Sequence, residues 1–125
     1  MPAATGTPVS LAEAQRAIAN AELARARTIL LALLEPRSVP HATLLEIGAN
    51  LYRARAFSDA NRAFDRAGAM EKGEERYHYY YAVSLYESGR YDAAKREIAA
   101  ALPYVERTSD VEHYRAKIEG SIARP

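Results

Sequence analysis

Between Leu44 and Ala67 the apolar positions fall on two helical stripes. Leu44, Ile47, Gly48 and Leu51 make the first, and Phe57, Ala60, Phe64 and Ala67 make the second. Steps of one, three and four residues bring side chains to one face of a helix. Two helices are therefore expected, with the break at Ala56–Phe57–Ser58–Asp59. Ser58 and Asp59 are the expected N-cap and first-turn acid of the second helix. Gly48, Ala60 and Ala67 are small enough to let the two axes approach closely, with Leu51 and Phe64 filling the space beside them.

The pattern returns further along the chain. His78, Tyr81, Ala82, Leu85, Tyr91, Ala94, Ile98 and Ala101 stand in register with the two stripes, all at one constant offset. A weaker copy stands at the same offset before them, at Ser10, Glu13, Ala14, Ala17, Leu23, Ala26, Leu30 and Leu33. The spacing predicts seven helices after a mobile tail at residues 1–7. The first opens at Pro8, or at a Ser10–Glu13 capping box, and runs to about Ala19. Those after it cover about 22–34, 40–55, 58–69, 75–88 and 92–102. Glu74 and Glu75 suit the first turn of the fifth, and Gly89 and Pro103 stop the fifth and sixth. The seventh, about 109–123, has capping-box spacing at Ser109 and Glu112 and one apolar face of Val111, Tyr114, Ile118 and Ile122.

The middle copy reads L-x-x-I-G-x-x-L, then F-x-x-A-x-x-x-F-x-x-A. The third reads H-x-x-Y-A-x-x-L, then Gly89, then Y-x-x-A-x-x-x-I-x-x-A. Over about residues 8–102 this resembles the tetratricopeptide repeat, a helix–turn–helix unit of about 34 residues. The offset from Ala26 to Ala60 to Ala94 matches that length. The chain departs from the family signature in three ways. It has no Trp at the first signature position, it has Leu33 where a small residue is usual, and no Pro ends the middle copy. The resemblance implies an all-α fold: a short right-handed superhelix of three helix pairs (about 8–38, 41–73 and 75–103) with a capping helix at about 109–123. Residues 8–125 would form one domain.

In that family the first helices of the pairs line a concave groove that holds another protein. Set against the family pattern, the groove positions are Leu11, Gln15 and Ile18, then Leu45, Ala49 and Tyr52, then Tyr79, Val83 and Tyr86. Each triplet steps by four and then three, one continuous helix edge. Some members clamp a C-terminal carboxylate with Lys, Asn and Arg. The corresponding places here hold Leu11, Gln15, Ala49 or Glu46, Tyr79 and Val83, so that clamp is absent. Six of the nine tyrosines lie between Tyr77 and Tyr91. Tyr81 is expected in the core, Tyr79 in the groove and Tyr77 against the middle repeat. Spacing assigns no face to Tyr80.

Composition narrows the chemistry. The 125 residues suffice for one domain, and 26 alanines favour helix. Seventeen basic and 16 acidic residues leave a net charge of +1, too balanced to draw nucleic acid or anionic lipid. Arg53, Arg55, Arg62 and Arg66 cluster in the middle repeat, but Asp59 and Asp65 interrupt them, which reads as an exposed face with local ion pairs. The longest apolar run, Thr28–Leu34, is far shorter than the roughly 20 residues of a membrane span. No signal peptide is visible, and the lack of Cys fits a reducing compartment, so a cytoplasmic setting is expected. His41, His78 and His113 sit in different helices without partner ligands at helical spacing, and no nucleophile, phosphate-loop or dinucleotide motif occurs. The expectation is a non-catalytic scaffold without metal or cofactor. It would bind an apolar or aromatic peptide or helix of another protein. The alternatives are a homo-oligomerisation module, or an accessory domain of a larger enzyme or of a secretion or assembly machine.

Overall fold

A computed structural model describes residues 10–122, and these are all-helical. The helices are α1 (Leu11–Ala19), α2 (Leu23–Leu34), α3 (His41–Arg53), α4 (Phe57–Ala67), α5 (Tyr77–Glu87), α6 (Tyr91–Ala101) and α7 (Ser109–Glu119). A 3-10 turn at Leu102–Tyr104 follows α6. The expected tail and the Pro8 helix start lie outside the described residues.

Three helical hairpins, α1–α2, α3–α4 and α5–α6, repeat in backbone detail. Ala21, Arg55 and Gly89 hold the same place in the three copies, and all three are left-handed, with φ of 60°, 62° and 81°. Each closes the same pair of hydrogen bonds at the end of the first helix. Glu22, Ala56 and Arg90 donate to the carbonyls of Ala17, Leu51 and Leu85, at 2.8, 2.9 and 2.9 Å. Ala21, Arg55 and Gly89 donate to Ile18, Tyr52 and Tyr86, at 2.9, 2.9 and 3.0 Å. This is the Schellman arrangement, which satisfies two of the carbonyls a helix end leaves open.

The same turn explains why Ser58 is not the N-cap of α4. Ala56 occupies that place without any side-chain cap, and the helix begins at Phe57. Asp59 does lie in the first turn. Capping by side chains is confined to the outer helices. Ser10 Oγ accepts from the Glu13 N–H at 3.2 Å. Thr108, rather than Ser109, caps α7 by accepting from Val111 at 3.2 Å. α5 begins at Tyr77, slightly later than expected. Glu74 and Glu75 lie in the loop before it, where their carboxylates accept from the Glu71 and Gly73 N–H groups.

Between hairpins, α2 packs on α3, α4 on α5 and α6 on α7, while α1, α3, α5 and α7 touch in series as an inner layer. Repeat-equivalent positions fill the core. Ala14, Ala82, Ala26, Ala60 and Ala94 are fully buried, with Leu30, Phe64 and Ile98 beside them. In the first copy Leu34 takes the inner place, while Leu33 is only half-buried. Gly48 is the tightest crossing. A Cβ there would stand 2.8 Å from two ring carbons of Phe64, so the α3–α4 contact tolerates no side chain as built. Its counterpart is Phe64, one turn beyond Ala60.

Two polar devices brace the middle hairpin. Arg66 spans to the end of α2, donating to the carbonyls of Leu34, Pro36 and Arg37, which hold no intrahelical partner. His41 sits between the Ala67 carbonyl (Nδ1, 2.9 Å) and the Glu74 carboxylate (Nε2, 2.8 Å). At the far end, Val111 and Ile118 of α7 are buried with Ile98. Ile122, expected on the same face, lies beyond the helix end and is 78% exposed.

Candidate functional site

The nine groove positions do not share one environment. Leu45, Ala49, Tyr79 and Val83 are 1%, 2%, 7% and 1% exposed, so they belong to the interior and present almost no surface. The physical reason is the inner layer itself. Because α1, α3 and α5 touch directly, the edge expected to be open is consumed by the contact between successive first helices. Leu11 and Ile18 are half-buried, and Gln15 is exposed. Tyr52 and Tyr86 are half-buried. The Tyr86 ring meets Tyr91 at 5.6 Å and Tyr114 of α7 at 6.3 Å, so α7 covers it.

Two adjoining clefts stay open along the inner layer. The first, about 380 Å³, lies between α1 and α3 and is lined by Gln15, Ile18, Glu46, Asn50 and Arg53. The second, about 320 Å³, lies among α3, α5 and α7 and is lined by Tyr52, Arg53, Arg55, Phe57, Tyr79, Asp110 and Tyr114. Arg53 belongs to both. The edge of α3 that lines the first cleft is therefore Glu46, Asn50 and Arg53, with Arg53 exposed, Glu46 half-buried and Asn50 fully buried. It has the four-then-three step expected for Leu45, Ala49 and Tyr52, rotated by one residue.

Aromatic packing fixes the walls of the second cleft. Tyr52 meets Tyr80 at 5.0 Å, Phe57 at 6.3 Å and Tyr79 at 6.4 Å. Tyr80, which spacing left unplaced, also stacks with Tyr77 and Tyr79 and so joins the middle and third hairpins. Tyr77 is buried against the middle hairpin, its hydroxyl donating to Glu46. Tyr81 is half-buried rather than core. Its ring lies 5.2 Å from Phe64 and its hydroxyl donates to Asp65.

Burial pushes the hydroxyls of Tyr52 and Tyr79 above the usual tyrosine value. Burial, then a 2.8 Å bond to Glu87, pushes Tyr114 up to about 12. All three stay neutral near pH 7, so the charges on the second cleft are those of Arg53, Arg55 and Asp110. In the first cleft, Asn50 is fully buried. Its Nδ2 donates to the Glu46 carbonyl at 2.8 Å, and its Oδ1 has no donor among the described residues.

The middle-repeat arginines separate into two pairs. Arg62 pairs with Asp59, and Arg66 holds the end of α2. Arg53 and Arg55 turn to the clefts, their guanidinium carbons 5.4 Å from the Tyr80 ring centre and 5.5 Å from that of Phe57. Sequence reading missed Asn50, Arg53, Arg55, Phe57, Asp110 and Tyr114 as lining residues. The one-residue rotation of the α3 edge was the available signal for the first two. The others depend on the left-handed turn at Arg55 and on where α7 lands.

His41 and His78 bond to Glu74 and Glu97, and His113 stands beside Tyr114. Among the described residues no three His, Asp or Glu converge to hold a metal ion, and no helix is long and apolar enough to cross a membrane. In comparison with known proteins, no family model, curated protein or solved structure matches the chain.

Proposed function

We propose that this chain is a tetratricopeptide-like binding module: three helix pairs in a short right-handed superhelix, ended by α7. It holds an apolar or aromatic segment of another protein along its inner layer and carries out no reaction itself. The observation that carries this reading is the pair of clefts joined at Arg53, the second of them walled by Tyr52, Phe57, Tyr79 and Tyr114. Recurrence of the left-handed turn at Ala21, Arg55 and Gly89, once in each copy, supports the repeat architecture. Aromatic side chains give large contact area at small entropy cost and dominate many protein interfaces.

Arg53→Trp tests the reading. Arg53 is exposed, so the change leaves the core intact and plugs both clefts where they meet. A partner captured from the host organism and titrated against this variant should lose about 2 kcal/mol or more of binding. The control is Arg25→Trp, whose side chain is 64% exposed on α2; it should bind normally. Normal binding by Arg53→Trp, or equal loss in both variants, overturns the proposal. A captured partner that is a second copy of this chain would replace it with self-association.

A further inference from the structure

The second cleft carries a feature that an apolar groove does not need. Arg53 and Arg55 make no ion pair and no side-chain hydrogen bond among the described residues. Arg27, Arg62, Arg90, Arg107 and Arg115 are all paired with carboxylates. The Arg53 and Arg55 guanidinium groups each lie over an aromatic ring, Arg53 over Tyr80 and Arg55 over Phe57. A cation–π contact with a ring uses none of the guanidinium's hydrogen-bond capacity for a carboxylate. It also restrains the side chain, so less entropy is lost when that capacity is used. Two arginines against Asp110 leave the cleft lining with one positive charge in excess.

Resting on the reading above, we infer that this cleft receives an acidic side chain of the partner, flanked by an apolar or aromatic residue. The carboxylate accepts from the rims of Arg53 and Arg55, and the apolar neighbour lies against Tyr52 and Tyr114. Charge complementarity selects this occupant. A basic segment would face two cations. A nucleic-acid strand needs a run of cations along its backbone, and here Glu46 lines the first cleft with Arg53 and Asp110 lines the second with both arginines. The occupant is a protein segment in which a single acid is enough.

A random pool of short displayed peptides tests this. It is selected against the full chain and, in parallel, against Arg53→Gln/Arg55→Gln. Both side chains are exposed, so the variant should melt like the native chain. The native chain should enrich Asp or Glu beside Phe, Tyr, Leu or Ile. Its best peptides should weaken about tenfold to a hundredfold when the acid becomes the amide, and they should weaken with added salt. The variant should enrich apolar peptides with no acid. Enrichment of apolar peptides without acids by the native chain overturns this inference and leaves the proposed function standing. Enrichment of nothing by either protein overturns both. The native chain's own choice between acid and amide decides the matter even if the variant is unstable.

Discussion

Gly48 and Phe64 form a pair whose exchange can be worked out in advance. The Cβ of an alanine at position 48 would stand 2.8 Å from two Phe64 ring carbons. Carbon contacts are comfortable at about 3.5–4.0 Å, so the overlap is about 0.7 Å or more. Phe64 is 1% exposed and has no solvent to swing into. Overpacking of this kind costs about 1–3 kcal/mol. Replacing a mid-helix glycine by alanine returns about 1 kcal/mol. Gly48→Ala should therefore destabilise by about 1 kcal/mol, and Gly48→Leu by more.

The other hairpins show the remedy. At the equivalent places they carry Ala14 with Leu30 and Ala82 with Ile98, all buried at 1% exposure or less. Phe64→Leu alone should lose about 1–2 kcal/mol to the space it leaves. Gly48→Ala/Phe64→Leu rebuilds the pair of the first hairpin, so the two changes should couple favourably by about 1–2 kcal/mol. Urea unfolding followed by circular dichroism on the four proteins measures this directly. Additive effects, within about 0.5 kcal/mol, or a stabilised Gly48→Ala would refute the packing argument.

Ala21→Gly should stabilise by about 0.5–1 kcal/mol, because a left-handed alanine costs more than glycine's added chain entropy; a lower melting temperature would contradict the Schellman turn. His41 donates from both ring nitrogens only as imidazolium, and its bonds to Glu74 and then to the Ala67 carbonyl raise its pKa above 6.5. Its contribution is full below 6.5 and lost as pH rises through the folded value. That of Glu74, held below 4.5 by the same bond, is lost only as pH falls through its lowered value. The melting-temperature advantage of the native chain over His41→Ala should thus be greatest between about pH 4.5 and 6.5 and shrink above the His41 pKa measured by NMR. An advantage that grows with pH would reverse the assignment. Deleting residues 107–125 uncovers Ile98 and removes Tyr114 from the second cleft, so cooperative melting should be lost. An unchanged unfolding curve would show that α7 is dispensable.

The helices and their register were legible because burial repeats with the chain. The repeat period places Ala26, Ala60 and Ala94 at equivalent, fully buried points. The turns were legible as breaks, but their left-handed backbone only where glycine marks it. Gly89 announced the third, while Ala21 and Arg55 adopt the same left-handed backbone without an amino-acid cue. That turn also makes a side-chain cap at Ser58 unnecessary. At the candidate site, hydrophobicity identified the adjoining edges of α3 but not which one a neighbouring helix covers. Leu45 and Ala49 were therefore expected at the surface, and the polar edge Glu46–Asn50–Arg53 was passed over. The division of four nearby arginines into two structural and two cleft-facing ones depends on tertiary partners such as Asp59 and the end of α2. Asp110 and Tyr114 reach the cleft from α7, at the opposite end of the helix series from the first hairpin and far along the chain from Tyr52.

The most direct test of a binding face along the inner layer is a map of backbone amide shifts. Isotope-labelled protein is titrated with the tightest peptide from the displayed pool. Shifts should cluster at Gln15, Ile18, Asn50, Arg53, Phe57 and Tyr114, with α2 and α6 silent. Shifts confined to the outer faces of α2, α4 and α6 would contradict a binding face on the inner layer.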